Sequence, residues 1–164
     1  MRRLPLLLLS LLLAACEPPT PRLTGSGMDM FAPVTIRLHG LTRFMVPPAP
    51  TTANSARPSA TILEAHFEFA DQFTDPTKAP GSLTLQLFDQ PGIIHKGALL
   101  QSWDLSLKTP EEQKEHWDRT TRTYVFKLPL DKPLPAGREH VLLTAIFTLA
   151  NSQVLSLEAQ VNAR

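Results

Sequence analysis

Apolar and polar residues alternate with a period of two through most of this 164-residue chain, and no other feature constrains its fold as strongly. That period places successive side chains on opposite faces of an extended strand, so each run buries one face and shows the other to water. Val34, Ile36 and Leu38 alternate with Thr35, Arg37 and His39, and Leu63, Ala65, Phe67 and Phe69 with Glu64, His66 and Glu68. The pattern continues in Leu83, Leu85 and Leu87, in Trp103, Leu105 and Leu107, in Tyr124, Phe126 and Leu128, and in Leu155, Leu157, Ala159 and Val161. Residues 141–148 are apolar on both faces, as a central strand is. Turn formers fall between the runs: Asp75-Pro76, Pro91-Gly92, Pro135-Ala136-Gly137 and Asn151-Ser152. One segment differs. Thr109-Pro110-Glu111-Glu112 combines an N-cap threonine, a first-turn proline and a glutamate placed to close a capping box, which predicts a short helix through about Trp117. About seven strands and one short crossover helix predict an all-β fold, an antiparallel two-sheet sandwich. Trp103, on a clean alternating run, is expected in its core.

The first sixteen residues carry an address rather than structure. Arg2 and Arg3 precede an apolar run from position 4 to 13, followed by small Ala14 and Ala15 and then Cys16, the single cysteine of the chain. Charge, apolar stretch and small residues are the three parts of a secretory signal, and a thiol at the cut makes it a lipobox. The run is about ten residues long, against the roughly twenty needed to span a bilayer, so the expected membrane connection is lipid on Cys16. Two or more acyl chains anchor durably, because each buried methylene contributes about 0.8 kcal/mol. The lipobox resembles that of bacterial lipoproteins, in which an aspartate after the cysteine marks retention in the inner membrane; Glu17 stands there instead, so the resemblance implies the outer membrane more than the inner. Residues 17–33, EPPTPRLTGSGMDMFAP, lack any apolar period and read as a tether, reaching at most roughly 55 to 60 Å. The chain therefore divides into a signal peptide at 1–15, the lipidated cysteine and tether at 16–32, and a sandwich domain at 33–164. Within that domain residues 47–59, PPAPTTANSARPS, read as a disordered loop. Loss of 1–15 takes away Arg2 and Arg3 and so turns a formal charge of +1 into −1. With no basic block elsewhere, this argues against a nucleic-acid partner.

Few residues promise chemistry. His39, His66, His95, His116 and His140 stand far apart, without HxH, HExxH or CxxC spacing, so no metal or cofactor is expected; His39 and His66 read as solvent-facing strand positions. Gly25-Ser26-Gly27 lies in the tether and cannot form the strained elbow of a hydrolase serine. Asp71 and Asp75 could offer oxygens to Ca²⁺, which needs six to eight, but fit better a turn in which both accept backbone N–H bonds and Pro76 fixes the chain. The remaining cluster is His116 to Arg122. Trp117, Arg119 and Arg122 are residue types enriched at binding hot spots and form the candidate partner-binding surface, for an envelope protein or a glycan. The simpler and preferred reading of the same residues is structural, with Trp117 covering one end of the core and Asp118 paired to Arg119 or Arg122.

The segment 66–88, with Asp71 ending a strand, Pro76 in the turn and Gly81 opening the next strand, resembles the strand-turn-strand unit of bacterial Ig-like domains of the invasin and intimin type. Leu134-Pro135-Ala136-Gly137, the run 141–147 and the return at 154–161 resemble the last hairpin of Ig-like and transthyretin-like domains. As a whole the chain is similar to uncharacterised bacterial lipoproteins. In such proteins the cysteine receives diacylglyceryl, the signal is removed before it, and the new amino terminus is acylated, commonly with palmitate. The resemblance implies an Ig-like sandwich and carries no activity. The expectation is a lipid-anchored, non-enzymatic binding or assembly module of the cell envelope. The alternatives are an envelope hydrolase with a spatially assembled site and a small-ligand or calcium-binding lipoprotein.

Overall fold

A computed structural model describes residues 29–46, 61–92 and 95–163. The signal peptide, Cys16, most of the tether and the loop at 47–59 lie outside the described residues. After a single 3-10 turn, Asp29–Phe31, the chain forms β1 (Thr35–Leu38), β2 (Arg43–Met45), β3 (Ile62–Ala70), β4 (Gly81–Asp89) and β5 (Leu99–Ser106). It continues with α1 (Pro110–His116), β6 (Trp117–Asp118), β7 (Thr123–Pro129), β8 (His140–Leu149) and β9 (Val154–Asn162). All six alternating runs and the doubly apolar run 141–148 form strands. The two additional ones, β2 and β6, are three and two residues long, too short to display a period.

Two antiparallel sheets form the sandwich. The first, of five strands, has the order β1-β3-β7-β6, with β2 also pairing β3; the second has the order β5-β4-β8-β9. β1 pairs Phe67–Ala70 of β3, and β2 pairs Ile62–Glu64 farther along. On one side the layers close where β1 packs beside β9. On the other, α1 carries the chain from the edge strand β5 to the edge strand β6, the expected crossover. Its start is as expected too: Thr109 Oγ1 accepts from Glu112 N and the Glu112 carboxylate from Thr109 N at 2.9 Å, the reciprocal capping box.

The core lies between the sheets. Leu63, Ala65, Phe67 and Phe69 of β3 and Tyr124 and Phe126 of β7 face Leu83, Leu85 and Leu87 of β4 and Val141, Leu143, Ala145 and Phe147 of β8. Phe69 sits at its centre, 4.6 Å from the Phe147 ring across the layers and 5.6 Å, edge-on, from Tyr124. Gly81 makes that closeness feasible, since a Cβ there would stand 2.6 Å from the Phe147 ring. β8 is a central strand, consistent with apolar residues on both its faces.

Two expectations about burial change. Trp103 is half-buried rather than core, because β5 is an edge strand with one flank unpaired; its indole N–H reaches across to the Pro129 carbonyl of β7 at 3.3 Å. His66, expected at the surface, is 6 % exposed. β3 is flanked on both sides, Thr42 Oγ1 accepts from His66 N at 3.0 Å, and on the outer face the imidazole meets Glu64 Oε1, Thr123 Oγ1 and, at 6.3 Å between centroids, the His39 ring. His39 itself is half-buried.

Candidate functional site

Strand directions bring the chain's arrival at β1, the β3–β4 loop and the β6–β7 hairpin to one end of the first sheet, since Thr35 pairs Ala70 and Phe67 pairs Tyr124. We term it the proximal end. The β3–β4 loop is built on Asp71, 4 % exposed, whose Oδ1 accepts from Phe73 N at 2.8 Å and Asp75 N at 3.1 Å. This is an Asx-type turn. Asp75 takes part through its backbone, its carbonyl accepting from Asp71 N at 3.1 Å, and Pro76 bridges to Ala70. The expected turn thus holds for Asp71, while the exposed Asp75 contributes main chain. To close the loop Thr74 adopts φ 68°, an unusual conformation for a β-branched residue.

A buried tyrosine fastens the loop to the helix. Tyr124 OH accepts from Ala79 N at 3.1 Å and donates to Gln113 Oε1, while Gln113 Nε2 donates to Ala79 O at 2.9 Å and Leu107 O at 2.6 Å. Burial raises the phenol above its usual value. One glutamine side chain thereby joins both sheets and α1.

Trp117 follows the helix as its extended C-cap, half-buried, 5.0 Å and edge-on from Tyr124. The Lys78 ammonium from the β3–β4 loop stands 5.5 Å from the indole centroid, a cation–π contact. Trp117 therefore does cover one end of the core. The expected ion pair is different. Asp118 accepts from Thr120 N at 2.8 Å and from the Thr121 hydroxyl at 2.9 Å, and the Thr120 N–H, followed by that hydroxyl, holds its carboxyl below the usual range. Its oxygens serve the hairpin turn, which ends with Arg122 at φ 55°. Arg119 and Arg122 are exposed, and neither is in an ion pair among the described residues. Of the sequence candidates, Trp117, Arg119 and Arg122 lie within one six-residue stretch of β6 and its hairpin. Lys78 joins them from another loop, which linear spacing could not reveal.

On the outer face of the first sheet, His66 Nε2 lies 3.3 Å from Glu64 Oε1 and Nδ1 lies 3.4 Å from Thr123 Oγ1. Thr123 Oγ1 is 2.7 Å from Thr121 Oγ1, linking this row to Asp118. Acid, imidazole and hydroxyl in a row have the composition of a nucleophile triad, but Thr123 is fully buried and its hydroxyl is shared with Thr121. A substrate carbonyl has no approach to it. The row is a cross-strand polar network that braces β2, β3, β7 and β6.

Two concave regions lie elsewhere. One, of about 280 Å³, is bordered by Gln90, Gly137, Arg138 and His140; Arg138 makes a two-point ion pair with Asp89, 2.7 and 3.0 Å, which lowers the Asp89 carboxyl. The other, about 190 Å³, lies between β5 and Leu130–Leu134. Neither gathers nucleophile, base and oxyanion donors. Among the described residues no group of three or more His, Cys, Asp or Glu side chains is placed to hold a metal ion, and no helix is long and apolar enough to cross a membrane. Comparisons with protein-family models, with curated proteins and with solved structures return no match, so the all-β two-sheet architecture rests on the chain's own geometry.

Proposed function

We propose that this protein is a lipid-anchored, non-enzymatic binding module of the cell envelope, held by acyl groups on Cys16 and presenting Trp117, Arg119 and Arg122 to its partner. The observation that carries the binding surface is the turn of Asp118 into Thr120 and Thr121, which leaves Arg119 and Arg122 exposed beside a half-buried indole. Cations without internal carboxylates beside an anchored aromatic are what a recognition surface needs; the indole also covers one end of the core, while the two arginines enter no ion pair among the described residues. Lipid anchoring is supported by Arg2, Arg3, the apolar run and the small residues before Cys16. The Ig-like assignment and outer-membrane location belong to the same reading.

Metabolic labelling with an alkynyl fatty acid, followed by in-cell crosslinking, tests it. Wild-type protein takes up label and Cys16→Ser does not, while Arg119→Ala/Arg122→Ala keeps its melting temperature and loses its crosslinks. Label retained by Cys16→Ser refutes the anchor. Crosslinks retained at full yield by the double variant refute the surface.

A further inference from the structure

Two aromatic side chains stand in water at the proximal end. Phe31 is 61 % exposed and Phe73 53 %, their centroids 6.5 Å apart, and Thr77 Oγ1 holds the Phe31 carbonyl at 3.0 Å so that the two segments are joined. Val34, just ahead of β1, and Val154, which opens β9, are also exposed at this end, where β1 packs beside β9. Phe73 is not carried on a slack loop. Both its own N–H and that of Asp75 are fixed to Asp71, and Thr74 takes a left-handed conformation to hold the turn. Phe73 is therefore an exposed aromatic on a rigid mount, the kind of apolar surface that marks an interaction site.

Charge lies on the same surface. Lys78, Arg119 and Arg122 stand in the two loops, and their single fully exposed carboxylate is Asp75, because Asp71 is buried and Asp118 is turned into its own hairpin. Alongside, exposed Glu111 and Glu115 are offset by exposed Lys108 and Lys114. From β1 to β6 the first sheet spans three strand spacings, about 14 Å, so aromatic and cationic groups share one face. This is also the end through which the chain arrives from Cys16. Only residues 17–28 separate the cysteine from the first described residue, a reach of at most roughly 45 Å.

We propose that the proximal end docks onto the headgroup layer of an anionic bilayer, with Phe31 and Phe73 at the acyl boundary and Lys78, Arg119 and Arg122 against lipid phosphates. This rests on the reading of Cys16 as lipid anchor and names the partner of the Trp117 surface as the membrane itself. Aromatic rings favour that boundary, and basic side chains favour an anionic leaflet. The tether would then bring a preformed docking face to its target at high effective concentration.

The test separates docking from acylation. The chain from position 16 with Cys16→Ser, which retains every described residue and has no acyl group, is floated with vesicles of phosphatidylglycerol and phosphatidylethanolamine, and with neutral phosphatidylcholine vesicles. It should float with the anionic vesicles in a salt-dependent manner. Phe31→Ser/Phe73→Ser should lower partitioning about tenfold or more, and Arg119→Ala/Arg122→Ala about tenfold with a flatter salt dependence. Melting temperatures should stay unchanged, since all four side chains are exposed. Absence of flotation, variants that float like the parent, or equal binding to neutral vesicles overturns the proposal. Mass spectrometry of the native protein reports acylation of Cys16 separately, so an unmodified cysteine removes the anchor while the vesicle result still decides the docking.

Discussion

Replacing Gln113 with leucine removes a joint on which three parts of the fold depend. Its amide donates to Ala79 O and Leu107 O and accepts from Tyr124 OH, and the leucine keeps helix propensity and approximate volume. At about 1 kcal/mol net per hydrogen bond the loss is about 3 kcal/mol. The Leu107 carbonyl retains a longer bond from Gly81 N at 3.4 Å, which places the expected value toward the lower side. Tyr124→Phe removes two bonds, from Ala79 N and to Gln113, and should cost about 2 kcal/mol. The Tyr124–Gln113 bond is counted in both, so the double variant should fall short of the sum by about 1 kcal/mol. Urea melts with an unchanged slope measure all three. A loss below about 1 kcal/mol for Gln113→Leu, or strict additivity, would refute the joint. The phenol supplies a second readout. Because burial raises its folded value above the ordinary value near 10, the unfolded chain loses its proton first. The stabilisation is whole below pH 10 and declines as pH rises from there through the folded value. Tyr124→Phe should flatten that decline in alkaline melts.

Phe69→Ala should cost about 3 to 5 kcal/mol as a large truncation at the centre of the core, and Trp103→Ala less, since the indole is half-buried on an edge strand; equal losses would contradict this packing. Asp71→Ala leaves the N–H groups of Phe73 and Asp75 without their acceptor and should cost about 1 to 3 kcal/mol, with faster protease nicking between β3 and β4 as the local readout. Asp118, held low by Thr120 and Thr121, contributes stability above the ordinary carboxylate range that fades as pH falls through its lowered folded value; an Asp118→Asn variant that melts with the wild-type acid profile would refute the cap.

What the chain disclosed was whatever its local order controls. Alternation marked every longer strand but β8, which its doubly apolar run marked, and Thr109 with Glu112 marked the helix because a capping box is complete within four residues. β2 and β6 escaped because two or three residues hold no period and take their extended form from β3 and β7. His66 obeys its alternation and points outward, yet is enclosed by Glu64, Thr123 and the His39 ring, of which the last two are neighbours that only pairing identifies. Trp103 obeys it and points inward, but edge position depends on strand order. At the candidate site Trp117, Arg119 and Arg122 were legible because they are close in sequence. Lys78, Phe31 and Phe73 were not, since loops some forty residues apart had first to meet at one end of a sheet.

Met45 and Ile62 are register partners on adjacent antiparallel strands, so the stretch between them begins and ends at two fixed points side by side. Between two such points, doubling the length of an inserted flexible linker costs only about 0.6 kcal/mol in closure entropy. The junction lies at the far end of β3 from Ala70, remote from both proximal loops. It is consequently the natural place to splice in a foreign domain, a fluorescent reporter or an affinity handle, that would project away from the proximal end and leave the sandwich to close as before.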